Sequence, residues 1–287
     1  SWQSGSQQIA VIFAALLGVG LNQYLGKSVM TDWGWRIPFI VGCLIVPFLF
    51  YIRRMLEETE AFNQRKHRPS MSEITRSVAS NWQLVLVGMF MVVTTTVSFY
   101  LITAFTPTYG KTVLQFTAQQ SFLVTLLVGI SNLFWLPVMG SLSDKVGRRP
   151  LLLLFSVLML LTSYPSLNWL VAHPSFAHLI EVELWLSFMY ASYNGAMVVC
   201  LTEIMPAEVR ASGFSMAYSL ATAIFGGFTP AISSYLIHAT GDKAMPGMWL
   251  SAAAACGLIA ALALPAIQRL NSNRAGTVPS GSAVEPK

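Results

Sequence analysis

The stretch Gly140–Phe155, GSLSDKVGRRPLLLLF, places one acid and three bases within six residues, with nearly unbroken apolar sequence on either side. The whole chain of 287 residues is 54% hydrophobic and only 10% charged, and its mean hydropathy is +0.59. A water-facing domain of this size carries roughly 25% charged residues. Too few polar side chains are present to cover such a surface, so lipid is the expected solvent. Charge crowded into one short stretch then reads as a turn between two membrane-crossing helices. The net charge of +5 is modest, and no basic patch interleaved with aromatic residues points to nucleic acid.

A crossing helix needs about 20 mostly apolar residues. Candidate segments fall at 7–26, 35–52, 82–105, 118–141, 150–168, 179–202, 213–237 and 247–268. GFTP at 227–230 and WLP at 135–137 are expected kinks. Eight crossings put both chain ends on one side, and the basic residues then divide unevenly. Loops on the side of the ends collect 13 of the 17 bases; the opposite loops hold 4, namely Lys27, Arg36, Lys111 and Lys243. By the positive-inside tendency the ends are expected in the cytoplasm. The chain begins at Ser1 without a signal-like segment and is expected to be part of a longer product. Cys43, Cys200 and Cys256 stand singly in apolar segments with no metal-ligand spacing, which suits small apolar residues.

The longest loop, 53–81, mixes bases and acids and includes EETEAFNQRK, where Glu60 has bases within helical reach. It reads as an amphipathic cytoplasmic connector. Two segments precede it and six follow, the pattern expected around the second half of a six-plus-six transporter.

Within the charged turn, Gly140 permits close helix approach and Gly147 a backbone turn that other residues resist. Asp144 is placed to accept a charge-assisted bond from Arg148 or Arg149, or from helix N-terminal amides, and Pro150 suits the first turn of the next helix. Such a cluster is either a latch between helices or simply a positive turn that enforces topology. Glu203 and Glu208 with Arg210 are expected to form a second ion pair at the cytoplasmic end.

Gly140 to Pro150 resembles the G-x-L-x-D-[RK]-x-G-R-R-[RK] signature of the major facilitator superfamily, with Pro150 in the place of its last base. SWQSGSQQ at 1–8, WGWRIPF at 33–39, TEIMPAEVRASGFS at 202–215 and ATAIFGGFTPAIS at 221–233 are similar to its metabolite:proton symporter branch. TPTYGKTVL at 106–114, SNLFWLP at 131–137 and YNGAMV at 193–198 resemble the citrate–proton and tricarballylate symporters within that branch. The resemblance implies an all-α integral membrane protein in which the first segment is helix 5 of twelve and helices 1–4 are missing. Residues 1–52 would then end the first bundle, 53–81 link the bundles, 82–268 form the second bundle and 269–287 a cytoplasmic tail. It further implies alternating-access uptake of citrate or a similar tricarboxylate, coupled to protons, across the bacterial inner membrane by a protein that is monomeric when full length. Tricarballylate or a dicarboxylate such as 2-oxoglutarate is the alternative substrate.

Ionisable residues are sparse inside the segments. Glu181 and Glu183 stand near the outer end of one, Glu203 near an inner end, and none stands at mid-depth. His173, His178 and His238 fall in outer loops. Basic partners for a tricarboxylate and the main titrating groups are therefore expected in the first four helices. This chain contributes neutral polarity. Thr96, Tyr100 and Thr103 follow an i, i+4, i+7 spacing that makes a hydroxyl stripe on an α-helix. Asn132, Tyr193, Asn194, Gln7 and Gln8 complete the candidate substrate contacts. Each hydroxyl or amide suits a carboxylate oxygen, and each equally suits an interhelical bond or a bond back to the preceding turn. Tyr109 is either an interfacial aromatic or a contact. Small-residue runs at 213–227 and 251–263 favour close helix packing. A membrane-embedded enzyme would need a nucleophile with its base or a metal cluster at depth, and neither HExxH nor GxSxG stands in these segments. A channel would need a polar stripe through several helices, where only short clusters occur.

Overall fold

The computed structural model describes residues 2–25, 27–55, 79–205 and 210–276. Among these residues, eight helices are long and apolar enough to cross a bilayer. They are α1 (Ser4–Tyr24), α2 (Gly34–Met55), α3 (Trp82–Val113), α4 (Ala118–Val146), α5 (Arg148–Ala172), α6 (Phe176–Ile204), α7 (Arg210–Thr240) and α8 (Met245–Ile267). They coincide with the eight apolar segments. The expected connector and tail lie for the most part outside the described residues.

Local chemistry sets the turns between them. Thr117 and Gln120 form a reciprocal capping box at the start of α4, with bonds of 3.1 and 3.0 Å. Ser175 caps α6 by accepting from the His178 amide at 3.0 Å. Gly147, at φ +99°, makes the break between α4 and α5, a backbone angle that costs other residues. At the opposite end Gly241 closes α7 in the left-handed conformation. Asp242 then accepts the Tyr164 hydroxyl and the Ala244 amide, both at 2.8 Å, stapling the α7–α8 turn to α5.

The largest departure from the expected limits is α3, which continues eight residues past 105. It does so through two widened π turns, Tyr100–Phe105 and Tyr109–Val113, on either side of the short α segment Thr106–Thr108. Pro107 lacks an amide hydrogen, so an ordinary ladder cannot pass through it. The Thr106 amide instead reaches five residues back to the Leu101 carbonyl. A third π turn, Thr222–Gly226, breaks α7 just before Thr229, at the expected GFTP kink. At WLP, by contrast, α4 runs helically through Pro137.

Packing follows the small residues. A Cβ on Gly195 of α6 would come within 2.9 Å of the Gly140 nitrogen on α4, and one on Gly247 of α8 within 2.6 Å of the Ser163 carbonyl on α5. In lipid, where apolar transfer gives helices no reason to associate, such close approach supplies the dispersion contacts that hold a bundle. The small-residue run of α8 buries Ala253, Ala254, Ala260 and Ala261, and Thr94 of α3 donates to the Ala253 carbonyl at 2.7 Å. α6 is the most enclosed span, packed among α3, α4 and α5, whereas α1 lies along α4. α2 buries none of its side chains among the described residues and presents Phe39, Leu44, Phe48 and Phe50 outward. Cys43 is exposed, Cys256 half-buried and Cys200 buried, all as free thiols.

Candidate functional site

A cavity of about 450 Å3 opens between α1, α3, α6 and α7. Its polar lining is Gln7 from α1, Thr95, Thr96 and Tyr100 from α3, Tyr190 from α6, and Tyr218 and Thr222 from α7. The rest is Phe99 and small α1 side chains. Thr96 donates to the Thr222 hydroxyl at 3.4 Å, tying α3 to α7 at the wall. Gly226 lets the π turn of α7 come this close, because a Cβ there would collide with Thr96 and the Tyr100 ring. Thr95 is 2% exposed and its hydroxyl has no protein partner. A buried hydroxyl left free beside a cavity is available to a guest. The lining thus offers six hydroxyls and one amide, with no formal charge among its residues.

Of the eight residues expected to contact substrate, Gln7, Thr96 and Tyr100 line this cavity. Asn194 stands behind it: its Nδ2 donates to the Tyr190 hydroxyl at 3.4 Å, and its Oδ1 has no partner. Of the other four, Asn132, Gln8 and Tyr193 hold helices together and Thr103 bonds within its own helix. Asn132 donates to Gln8 Oε1 at 3.1 Å and accepts from Ser187 at 2.8 Å, a buried strut across α1, α4 and α6. Tyr193, fully buried, donates to the Met91 carbonyl of α3 at 3.2 Å. Thr103 donates back to the Phe99 carbonyl at 2.5 Å. The expected Thr96–Tyr100–Thr103 stripe therefore stops at Tyr100. An i, i+7 face requires about 100° of rotation per residue, and the π turn that begins at Tyr100 rotates less, carrying Thr103 off the cavity.

Thr95, Tyr190, Tyr218 and Thr222 line the cavity without having been singled out from sequence. A signal existed in the last pair, two hydroxyls at i, i+4 inside a small-residue run, which puts them on one helix face. Glu183 is a further surprise. Glu181 is exposed at the helix end as expected, but Glu183 is 3% exposed and enclosed by the bundle. Thr106 lies 2.8 Å from its Oε1.

At the other end of the helices, the charged turn is tied through Arg148. Its Nη1 pairs with Asp144 Oδ1 at 2.5 Å and donates to the Ser143 hydroxyl at 2.9 Å, while Nη2 reaches Glu203 Oε1 at 3.2 Å. One guanidinium so joins the ends of α4, α5 and α6. Arg149 donates to the Ala261 carbonyl of α8 at 3.2 Å, adding a fourth helix. Glu203, expected beside Arg210, is bound to Arg148 because α5 and α6 bring their ends together; Arg210 donates to the Met205 carbonyl at 3.3 Å. Glu208 lies outside the described residues. Asp144 and Glu203 are 64% and 55% exposed, so water screens these pairs and each contributes on the order of 0–1 kcal/mol to stability. Their use is in positioning helix ends.

A profile of the Major Facilitator Superfamily matches residues 1–230. The chain belongs to the Major Facilitator Superfamily. It is a multi-pass membrane protein. Over 260 residues it is 58% identical to a citrate-proton symporter of Klebsiella pneumoniae, covering 91% of this chain and 59% of that protein. It is 55% identical to a citrate-proton symporter of Salmonella typhi, covering 91% and 60%. A proline/betaine transporter of Escherichia coli (strain K12) is 27% identical over 299 residues, covering 99% and 58%. The chain thus spans about three-fifths of the length of these relatives. In fold it is similar to the crystal structure of a D-xylose-proton symporter, with a TM-score of 0.71 at 19% identity over 92% of this chain and 61% of that one.

Proposed function

We propose that this chain forms the later helices of a proton-coupled symporter that takes up citrate or a closely similar tricarboxylate across the bacterial cytoplasmic membrane by alternating access. On this reading α1 and α2 end a first bundle, residues 53–81 connect it to a second, and α3–α8 are that second bundle. The chain ends and the Asp144–Arg148 turn face the cytoplasm, protons are the coupling ion, no other cofactor takes part, and the carrier acts as a monomer.

The observation that carries the proposal is the cavity where α1 meets α3, α6 and α7. Its hydroxyl and amide groups suit carboxylate oxygens and the hydroxyl of citrate. The identity to relatives named citrate-proton symporters supports the choice of substrate. This wall supplies hydrogen bonds and no countercharge, so basic groups elsewhere in the carrier meet the charge of the acid.

The test is uptake of labelled citrate by the carrier in proteoliposomes. An inward proton gradient drives accumulation and an uncoupler abolishes it. Saturable uptake indifferent to the gradient rejects symport. Competition by tricarballylate, 2-oxoglutarate and betaine ranks the substrates, and displacement by betaine alone would move the assignment toward the zwitterion carriers.

A further inference from the structure

Glu183 has no role in the cavity or in the Arg148 cluster, yet a carboxyl enclosed by a membrane bundle is costly and by default functional. It lies about 10 Å along α6 from Phe176, at 1.5 Å per residue. We propose that Glu183 is a proton-binding site of the carrier, carrying its proton toward Thr106 in this conformation and giving it up when α3 shifts against α6. This deepens the proton-coupled reading above and rests on it.

The donor count around Thr106 carries the first part. Its one hydroxyl hydrogen faces two acceptors, Glu183 Oε1 at 2.8 Å and the Leu101 carbonyl at 3.2 Å. With a proton on Oε1, Glu183 donates to Thr106, Thr106 donates to Leu101, and both contacts are served. An ionised carboxylate would take that hydrogen for Oε1 alone, leaving the Leu101 carbonyl with only the Thr106 amide. Oε2 has no protein partner. Glu183 lines a cavity of about 10 Å3 together with Thr106, Tyr109 and the apolar Leu101, Phe105, Leu167, Leu186 and Pro246, room for about one water molecule. A full negative charge there would lack any neutralising group, and burying an unpaired charge is far costlier than burying a neutral acid.

No neighbouring element offers a counter-ion among the described residues. On α3, Tyr109 donates its hydroxyl to the Lys243 carbonyl at 2.8 Å, and Lys111 is exposed. On α5, Tyr164 is bound to Asp242. The α7–α8 turn brings Asp242, occupied by Tyr164 and Ala244, and the exposed Lys243. On α6 itself stand the exposed Glu181 and His178, whose Nδ1 lies 2.6 Å from the His173 carbonyl. α4 has no titratable side chain before Asp144, and α8 none before Cys256.

Geometry also supplies the means of release. Thr106 sits on three α residues bracketed by π turns, irregularities that recur at functional sites and where a helix readily readjusts. Movement of this segment withdraws Thr106 and opens the small cavity to water, and the proton leaves to that water with no other bond changing.

The experiment compares wild type with Glu183→Gln in proteoliposomes, reading gradient-driven citrate accumulation, proton uptake by an internal pH dye, and citrate exchange without a gradient. A gradient of about one pH unit supports about tenfold accumulation per coupled proton. Glu183→Gln is expected to lose that accumulation and its share of proton uptake while still exchanging citrate. Undiminished accumulation overturns the proposal, and so does equal loss of exchange and accumulation, which marks a structural residue. If the Gln variant does not fold, Thr106→Ala decides: a displaced pH midpoint of uptake supports the proposal and an unmoved one overturns it. Failure of the wild type itself to respond to the gradient would instead remove the symport reading on which the proposal stands.

Discussion

Replacing Gly195 by alanine tests how the bundle is held together. The new Cβ would stand 2.9 Å from the Gly140 nitrogen, 3.2 Å from the Met139 carbonyl carbon and 3.3 Å from the Leu136 carbonyl oxygen. Ordinary contact for carbon is about 3.5–4.0 Å, so α4 and α6 must part by roughly half an ångström. All three obstacles are backbone, which no side-chain rotation relieves. Overpacking of this kind costs about 1–3 kcal/mol. Two helical turns away on the same face of α6, Ser187 donates to Asn132 at 2.8 Å; stretching that bond forfeits about 1 kcal/mol more. Against this, alanine is the better helix former by about 1 kcal/mol. The last two contributions cancel, leaving a net destabilisation of about 1–3 kcal/mol. Reversible unfolding in mixed micelles, followed by tryptophan fluorescence, measures it. Gly227→Ala is the control, because its Cβ would meet nothing closer than 3.6 Å. If Gly195→Ala matches or exceeds the wild type in stability while the control is neutral, close backbone contact does not hold α4 to α6.

Three further outcomes are expected. Asp144→Asn should slow turnover while changing citrate affinity and the unfolding midpoint little, because Asp144 positions a helix end, is largely exposed and is not among the residues lining the cavity; transport rate and equilibrium binding measured on one preparation separate these, and unaltered turnover refutes a latch. Tyr100→Phe should weaken citrate binding by about 1 kcal/mol, roughly fivefold, through loss of one cavity hydroxyl, whereas Thr103→Val should leave affinity near wild type; calorimetry that finds the reverse order would mean substrate binds elsewhere. Asn132→Ala should destabilise the protein by about 1–3 kcal/mol, since Gln8 loses its buried partner and Ser187 keeps only Ser131 and the Val128 carbonyl; a neutral result in the unfolding assay removes the strut.

What could be read from sequence was what depends on one segment at a time. Twenty apolar residues identify a crossing wherever they occur, and the Gly147 turn and the family likeness were legible in the residues themselves. What escaped depends on which way a side chain points or on what packs beside it. Gln7 and Gln8 are chemically identical and adjacent, but about 100° of helical rotation sends one to the cavity and the other to Asn132. The same rotation, taken twice, separates exposed Glu181 from buried Glu183. Arg148 finds Glu203 across 55 residues because two helix ends meet, a relation no local spacing encodes. The last eight residues of α3 were missed because Thr, Pro, Tyr, Gly and Lys read as a loop, while π turns absorb the missing proline hydrogen and keep the chain helical.

Those two π turns have a consequence for sequence length. Each spreads about one turn of rotation over one residue more than an α turn uses, so losing a single residue from either would let it tighten with its total rotation little changed. The residues beyond the excision would then keep their face, with Thr106 still toward Glu183 when the loss falls within Tyr100–Phe105. The same cut in the straight portion before Tyr100 would instead turn everything beyond it by about 100° and carry Thr106 away from Glu183.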